Sequence, residues 1–109
     1  MPKSPFLAIK QVETQVGTTL RAVDVDSLEA DGRRVVLNIK RLMVDTRLDI
    51  RDYELSETRE EQLKYAHEGK KRLEQFRRSI LTASEYNIFS AIDVAQLTAE
   101  LDQIREDLL

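Results

Sequence analysis

The chain has 109 residues, 34% of them charged and 6% aromatic, with a formal net charge of -3; that length suits one domain with a modest core, and that charge gives no global attraction for nucleic acid. With no cysteine and a single histidine, a disulfide framework, a thiolate zinc site and a cysteine nucleophile are excluded. Only 3 Gly and 2 Pro argue for long uninterrupted helices, because these residues punctuate strands and turns.

The first helix begins at Ser4-Pro5. Ser is a favoured N-cap, and Pro fits the first turn, where its missing N–H costs nothing. Ile9, Val12, Val16, Leu20 and Val23 then recur every three or four residues as one apolar stripe. Gly17 weakens this helix. The stretch VDVDSLEADGRR, from Val23 to Arg34, admits two readings. Asp26 can cap a second helix, with Glu29 at the position that reaches back in a capping box. Alternatively, Asp31-Gly32 can turn a hairpin between short strands. The helix is preferred, because at about 100° per residue Leu28 falls on the stripe of Val35, Ile39, Leu42, Thr46, Ile50 and Tyr53. The second helix is therefore expected from Ser27 to Leu55.

Thr58 and Glu61 form a further capping box, so LSET reads as the turn into a third helix. Its stripe is Gln62, Ala66, Gly69, Leu73, Phe76, Ile80 and Ala83. Gly69 lies on that stripe, where the missing side chain would let another backbone approach closely. A competing arrangement has no turn at Ser56 and joins both helices into one rod of ~85 Å; the hairpin is preferred because of the Thr58 cap. The segment TASEYNIFSAID, from Thr82 to Asp93, reads as a bend. Asp93 is expected to cap a final helix, with Gln96 at the box position and Ile92 and Leu97 as a hydrophobic staple. Val94, Leu97, Leu101, Ile104 and Leu108 have coiled-coil-like spacing over barely two heptads. Glu106 and Asp107 oppose the helix dipole, so the last turn is expected to fray. The expected fold is all-α: a single helical domain over 1–109, a bundle of about four helices built on a long antiparallel helical hairpin.

The second helix carries more than one face. Opposite the stripe already named lie Leu37, Val44, Leu48 and Leu55. One edge between the two stripes holds Arg33, Lys40, Arg47 and Arg51. The other holds Asn38, Asp45, Asp49 and Asp52, joined by Arg34 and Arg41. A helix packed on one side needs one stripe. Two stripes mean that it is sandwiched, either inside its own bundle or between its bundle and another chain. The second is preferred, because short flanking helices cover only part of the long ones, and exposed apolar stripes tend to be interfaces.

Catalytic chemistry finds little support. Asp45, Asp49 and Asp52 share an edge with arginines, which is ordinary surface pairing. His67 falls on a polar face, and the Glu-x-x-His pattern of a bundle di-iron site is absent. No phosphate loop or nucleophile elbow is present, so no enzyme activity and no bound cofactor are expected. The stretch KYAHEGKKRLEQFRR, Lys64 to Arg78, holds six bases against two acids, and Lys64, Lys71 and Arg78 align every seven residues. That row suits an anionic partner such as a phosphate backbone, unless the acidic C-terminal helix covers it. The N-terminal MPKSPFLAIK lacks the apolar core of a signal peptide, and no run of ~18 apolar residues offers a membrane span. The expected protein is a cytoplasmic, self-associating helical module, a dimer first, which docks a partner protein through Leu37, Val44, Leu48 and Leu55. A nucleic-acid-binding regulator using the basic row is the alternative.

Overall fold

The first helix, α1 (Pro5–Arg21), starts where its sequence directs. The Ser4 hydroxyl accepts a hydrogen bond from the Leu7 N–H at 3.2 Å, and Pro5 sits in the first turn. The computed structural model describes residues 4–109; residues 1–3, the head of the stretch read as lacking a signal peptide, lie outside them. Ile9, Val12, Val16 and Leu20 are all buried, while Val23 lies beyond the helix end, half-buried against the core.

The connection to the second helix departs from expectation. Asp24, not Asp26, is the capping residue. Its carboxylate accepts a hydrogen bond from the Asp26 N–H at 3.2 Å, and the Ser27 hydroxyl donates to the Asp24 carbonyl at 2.7 Å. These local bonds close one turn of 3₁₀ helix at Val25–Ser27, after which Leu28 is extended. The second helix, α2 (Ala30–Leu55), therefore starts at Ala30 and not at Ser27, and its N-cap Glu29 makes no side-chain cap bond. The Asp31-Gly32 pair lies inside that helix, and no strand occurs among the described residues. Along α2 the buried side is Gly32, Val36, Ile39, Leu42, Thr46, Ile50 and Tyr53. Val36 replaces the expected Val35, which is only half-buried. A seven-residue repeat drifts by ~20° per heptad on a straight helix, so at the N-terminal end the stripe has rotated onto Gly32 and Val36. Thr46 is buried without loss, because its hydroxyl donates to the Leu42 carbonyl at 2.6 Å.

The chain reverses after α2. Thr58 accepts a hydrogen bond from the Glu61 N–H at 3.1 Å and starts α3 (Arg59–Glu85). The Glu61 carboxylate reaches back to the Glu57 N–H at 3.5 Å, one residue earlier than a capping box requires. The longest dimension of the molecule is 48 Å, which excludes the ~85 Å rod. α2 and α3 form the most extensive packing in the molecule, and α3 also contacts α4 (Ala91–Asp107). α1 closes the ring against α2 and α4. The result is an all-α bundle with four α-helices among the described residues. Ala66, Leu73, Phe76, Ile80 and Ala83 supply α3's share of the core. At Gly69 the close neighbour is a side-chain tip and not a backbone: a Cβ there would lie 3.2 Å from Leu108 Cδ1.

Asn87 ends α3. It has φ 59°, in the left-handed region. The Ile88 N–H donates to the Ala83 carbonyl at 3.2 Å and the Asn87 N–H to the Ser84 carbonyl at 3.1 Å, which is a Schellman cap with Ile88 and Ala83 both buried. This turn buries Phe89 as well, and it leaves Ser90 at the surface to cap α4. The Ser90 hydroxyl accepts from the Asp93 N–H at 3.1 Å, so the cap is not Asp93. Ile92 is 72% exposed and forms no staple; Phe89 and Val94 hold the staple positions and pack in the core. α4 does not fray before Asp107: the Gln103 amide donates to the Asp107 carboxylate at 3.1 Å, and Leu108 is buried just beyond. Asn87→Val is expected to destabilise the fold by about 1–2 kcal/mol, since a β-branched residue resists positive φ, whereas Asn87→Gly is expected to be neutral or better. Thermal melts of both variants test this; equal melting temperatures would mean that the cap does not constrain the chain.

Candidate association interface

Winding residues 30–55 as one helix places Leu37, Val44, Leu48 and Leu55 directly opposite the buried stripe. All four are at the surface, 66%, 42%, 37% and 67% exposed. Leu37 and Leu55 stand well clear of the bundle, whereas Val44 and Leu48 are more than half covered. α2 sits at a corner of the bundle, with α1 along one flank and α3 along the other, and its outer ridge points away from both.

Each flank is held by ion pairs that sort the charges. On the α1 side, Arg47 pairs with Glu13 at 3.3 Å, and the Phe6 N–H donates to the Glu54 carboxylate at 3.0 Å. On the α3 side, Arg72 pairs with Asp49 at 3.3 Å and approaches Asp45 at 3.9 Å. Asp52 lies 3.7 Å from its neighbour Arg51, and Arg41 donates to the Asn38 side chain at 3.0 Å. Arg47 of the basic edge thus faces α1, with Glu54 beside the start of that helix, and Asp45 and Asp49 of the acidic edge face α3. Lys40 is exposed and forms no ion pair among the described residues.

Burial raises the pKa of Glu13 above its ordinary 4.5, against the pull of Arg47 and Lys10. One of its oxygens, Oε1, is buried and accepts no hydrogen bond. Burial likewise raises the pKa of Asp49, opposed by Arg72 and assisted by Glu68 and Asp45. A carboxyl whose folded pKa is raised keeps its proton where the unfolded chain has lost it. Its ionisation therefore removes stability as pH rises through 4.5 and above. Compared with Glu13→Gln, the wild type is expected to gain stability between pH 7 and about pH 4.5, measured by urea unfolding. A stability difference that is flat with pH would contradict the burial of this group.

The basic row lies on the outer face of α3. Lys64, Lys71 and Arg78 are all exposed, so α4 does not cover them. Arg78 is bound to Glu74 at 3.3 Å, and Lys64 Nζ stands 5.3 Å from the Tyr65 ring centre. Two ion pairs join α4 to α3 beside this row: Asp102 of α4 pairs with Arg77 of α3 at 3.1 Å, and Arg105 of α4 meets Glu74 of α3 at 3.5 Å. Of the six bases in this stretch, Arg72 and Arg77 are thus committed to neighbouring helices. His67 is exposed. Among the described residues no three His, Cys, Asp or Glu side chains converge to hold a metal ion, and no helix is long and apolar enough to cross a membrane.

Sequence reasoning did not bring Arg41 of α2 beside Gln75 and Arg78 of α3. They share an open groove of about 430 Å³ on the outside of the hairpin. The helical wheel puts each of these residues towards the hairpin's outer side, but the axial register that joins them is a property of packing. The chain matches no protein-family model, and no curated protein or solved structure is significantly similar to it.

Proposed function

We propose that this protein is a non-enzymatic helical interaction module, set in the cytoplasm, that self-associates through the outer ridge of α2 and docks a partner protein. The observation that supports it is the row Leu37, Val44, Leu48 and Leu55, four large apolar side chains exposed in line opposite the core. Scattered surface leucines need no explanation, but an aligned row on a helix has the form of a coiled-coil seam. Solution molar mass by light scattering, over a range of protein concentrations and at low and high salt, tests this reading. A dimer at both salts supports it, because apolar association is little affected by ionic strength. A monomer at every concentration overturns it.

A second reading, binding of nucleic acid, draws on the exposure of Lys64, Lys71 and Arg78. Such binding would weaken steeply with salt. Lys71→Glu combined with Arg78→Glu is expected to abolish any retention on a phosphate-bearing column, and unchanged retention would remove this row from consideration.

A further inference from the structure

Resting on the self-association reading, we infer that the partner at the α2 ridge is a second copy lying parallel to the first, its orientation set by the two charged edges of that helix. The ridge has a basic edge on the α1 side, with Lys40 and Arg47, and an acidic edge on the α3 side, with Asp45 and Asp52. A two-fold axis running along α2 carries the basic edge of one copy onto the acidic edge of the other. A two-fold axis across α2, which makes the pair antiparallel, carries each edge onto itself, so that near Thr46 Arg47 meets Arg47 and Asp45 meets Asp45 of the second copy; Glu54, the acid on the α1 side, is already bound by the Phe6 N–H. Edge charges in helix pairs select orientation in this way.

The spacing agrees. With Leu37 and Val44 at one set of seam positions and Leu48 and Leu55 at the other, Lys40 and Arg47 fall on one rim and Asp45 and Asp52 on the opposite rim. A parallel, in-register pair then places Lys40 beside Asp45 of the second copy, and Arg47 beside Asp52, each five residues along, as parallel coils pair their rims. The groups are available. Lys40 has no ion partner among the described residues, and Asp45 and Asp52 reach theirs only at 3.9 and 3.7 Å. Arg47 is already bound to Glu13, so the Lys40–Asp45 contact carries more of the selection.

Arg41 and Arg51, at the inner margins of the two edges, occupy seam positions by the same heptad; each faces its own mate in the parallel pair, and they face one another in the antiparallel pair, so these arginines weaken the seam in either orientation and do not choose between them. From Leu37 to Leu55 the seam is about 27 Å long at 1.5 Å per residue. A strip that short falls below the ~800 Å² per partner of a standard interface, so the dimer is expected to form and dissociate with concentration.

The absence of cysteine makes orientation directly readable. Leu37→Cys and Leu55→Cys are prepared singly and oxidised mildly, each alone and as a mixture, and disulfide-linked dimer is measured on non-reducing gels. A disulfide needs Cα atoms within about 7 Å. In the parallel pair each variant links to itself. In the antiparallel pair centred on Thr46, Leu37 faces Leu55 and two copies of Leu37 are about 27 Å apart, so only the mixture gives the 37-to-55 link. Self-linking of both single variants is the expected result; linking in the mixture alone overturns the orientation and leaves self-association standing. A dimer by light scattering that links in neither case places the interface elsewhere and overturns both the orientation and the ridge. A monomer at all concentrations overturns the underlying reading itself. As a second measurement, Lys40→Glu is expected to raise the dimer Kd about fivefold, and Lys40→Glu with Asp45→Lys to restore it; tightening or no change with Lys40→Glu would contradict the parallel pair.

Discussion

Phe76→Ala is expected to destabilise the fold by about 4 kcal/mol. Phe76 is fully buried on α3, in the core shared by all four helices. Truncation removes the transfer free energy of the ring and leaves a void that close-packed neighbours such as Ile80 and Leu73 fill only in part; Phe-to-Ala changes in cores cost about 3–5 kcal/mol. A domain of this size has about 5–15 kcal/mol in total, so the variant is expected to lose a large share of its margin. Urea unfolding followed by helical circular dichroism, at fixed protein concentration, gives the figure. A loss below about 1 kcal/mol would show that Phe76 is not packed in the core.

Leu48→Glu is expected to abolish self-association and leave the fold intact. Leu48 is 37% exposed on the outer ridge, whereas Ile50, two residues on, is fully buried. On a helix, residues two apart do not share a face, so the same carboxylate has opposite consequences at these positions. At Leu48 it remains hydrated in the monomer, and stability should change by no more than about 0.5 kcal/mol. In the dimer it is introduced twice into the seam, without a partner, and should raise the Kd roughly 100-fold or more. At Ile50 it would be buried in the core and should unfold the chain. Light scattering and circular dichroism on both variants separate the two effects. Unfolding by Leu48→Glu would make the ridge part of the core and end the interface proposal.

The elements that could be read from the chain are those whose signals are local. Ser4 and Thr58 cap helices because each has a free hydroxyl immediately before an apolar repeat, and spacing places the buried stripe of α1 from Ile9 to Leu20 and that of α3 from Ala66 to Ala83; Gln62, expected on the latter, is only half-buried, and Ser79, which is buried on it, carries no apolar signal. The start of α2 is displaced because Asp24 caps a 3₁₀ turn closed by Ser27 and leaves Leu28 extended, so the helix begins only at Ala30, behind Glu29, which makes no side-chain cap bond; the start of α4 is displaced by competition between caps. Ser90 supersedes Asp93 because Asn87 adopts positive φ and ends α3 in a turn that buries Ile88 and Phe89. The outer ridge was visible as a second apolar face, but whether the bundle covers it depends on how helices assemble. The Arg47–Glu13 and Arg72–Asp49 pairs, which give each flank of α2 its sign, join residues distant in sequence and leave no trace in any single segment.

The short reversal at Ser56–Thr58 also bears on how the chain finds its structure. Bringing two segments together costs entropy that grows with the length of the loop between them. The α2–α3 hairpin closes the shortest such loop and gains the most extensive packing, whereas α1 must meet α4 from the far end of the chain. The sequence of assembly favoured by this arrangement is hairpin first, then docking of α4 and α1 onto it. Contacts that are mostly local in this sense go with rapid folding, and they spare the nascent chain a long period with its apolar surfaces exposed.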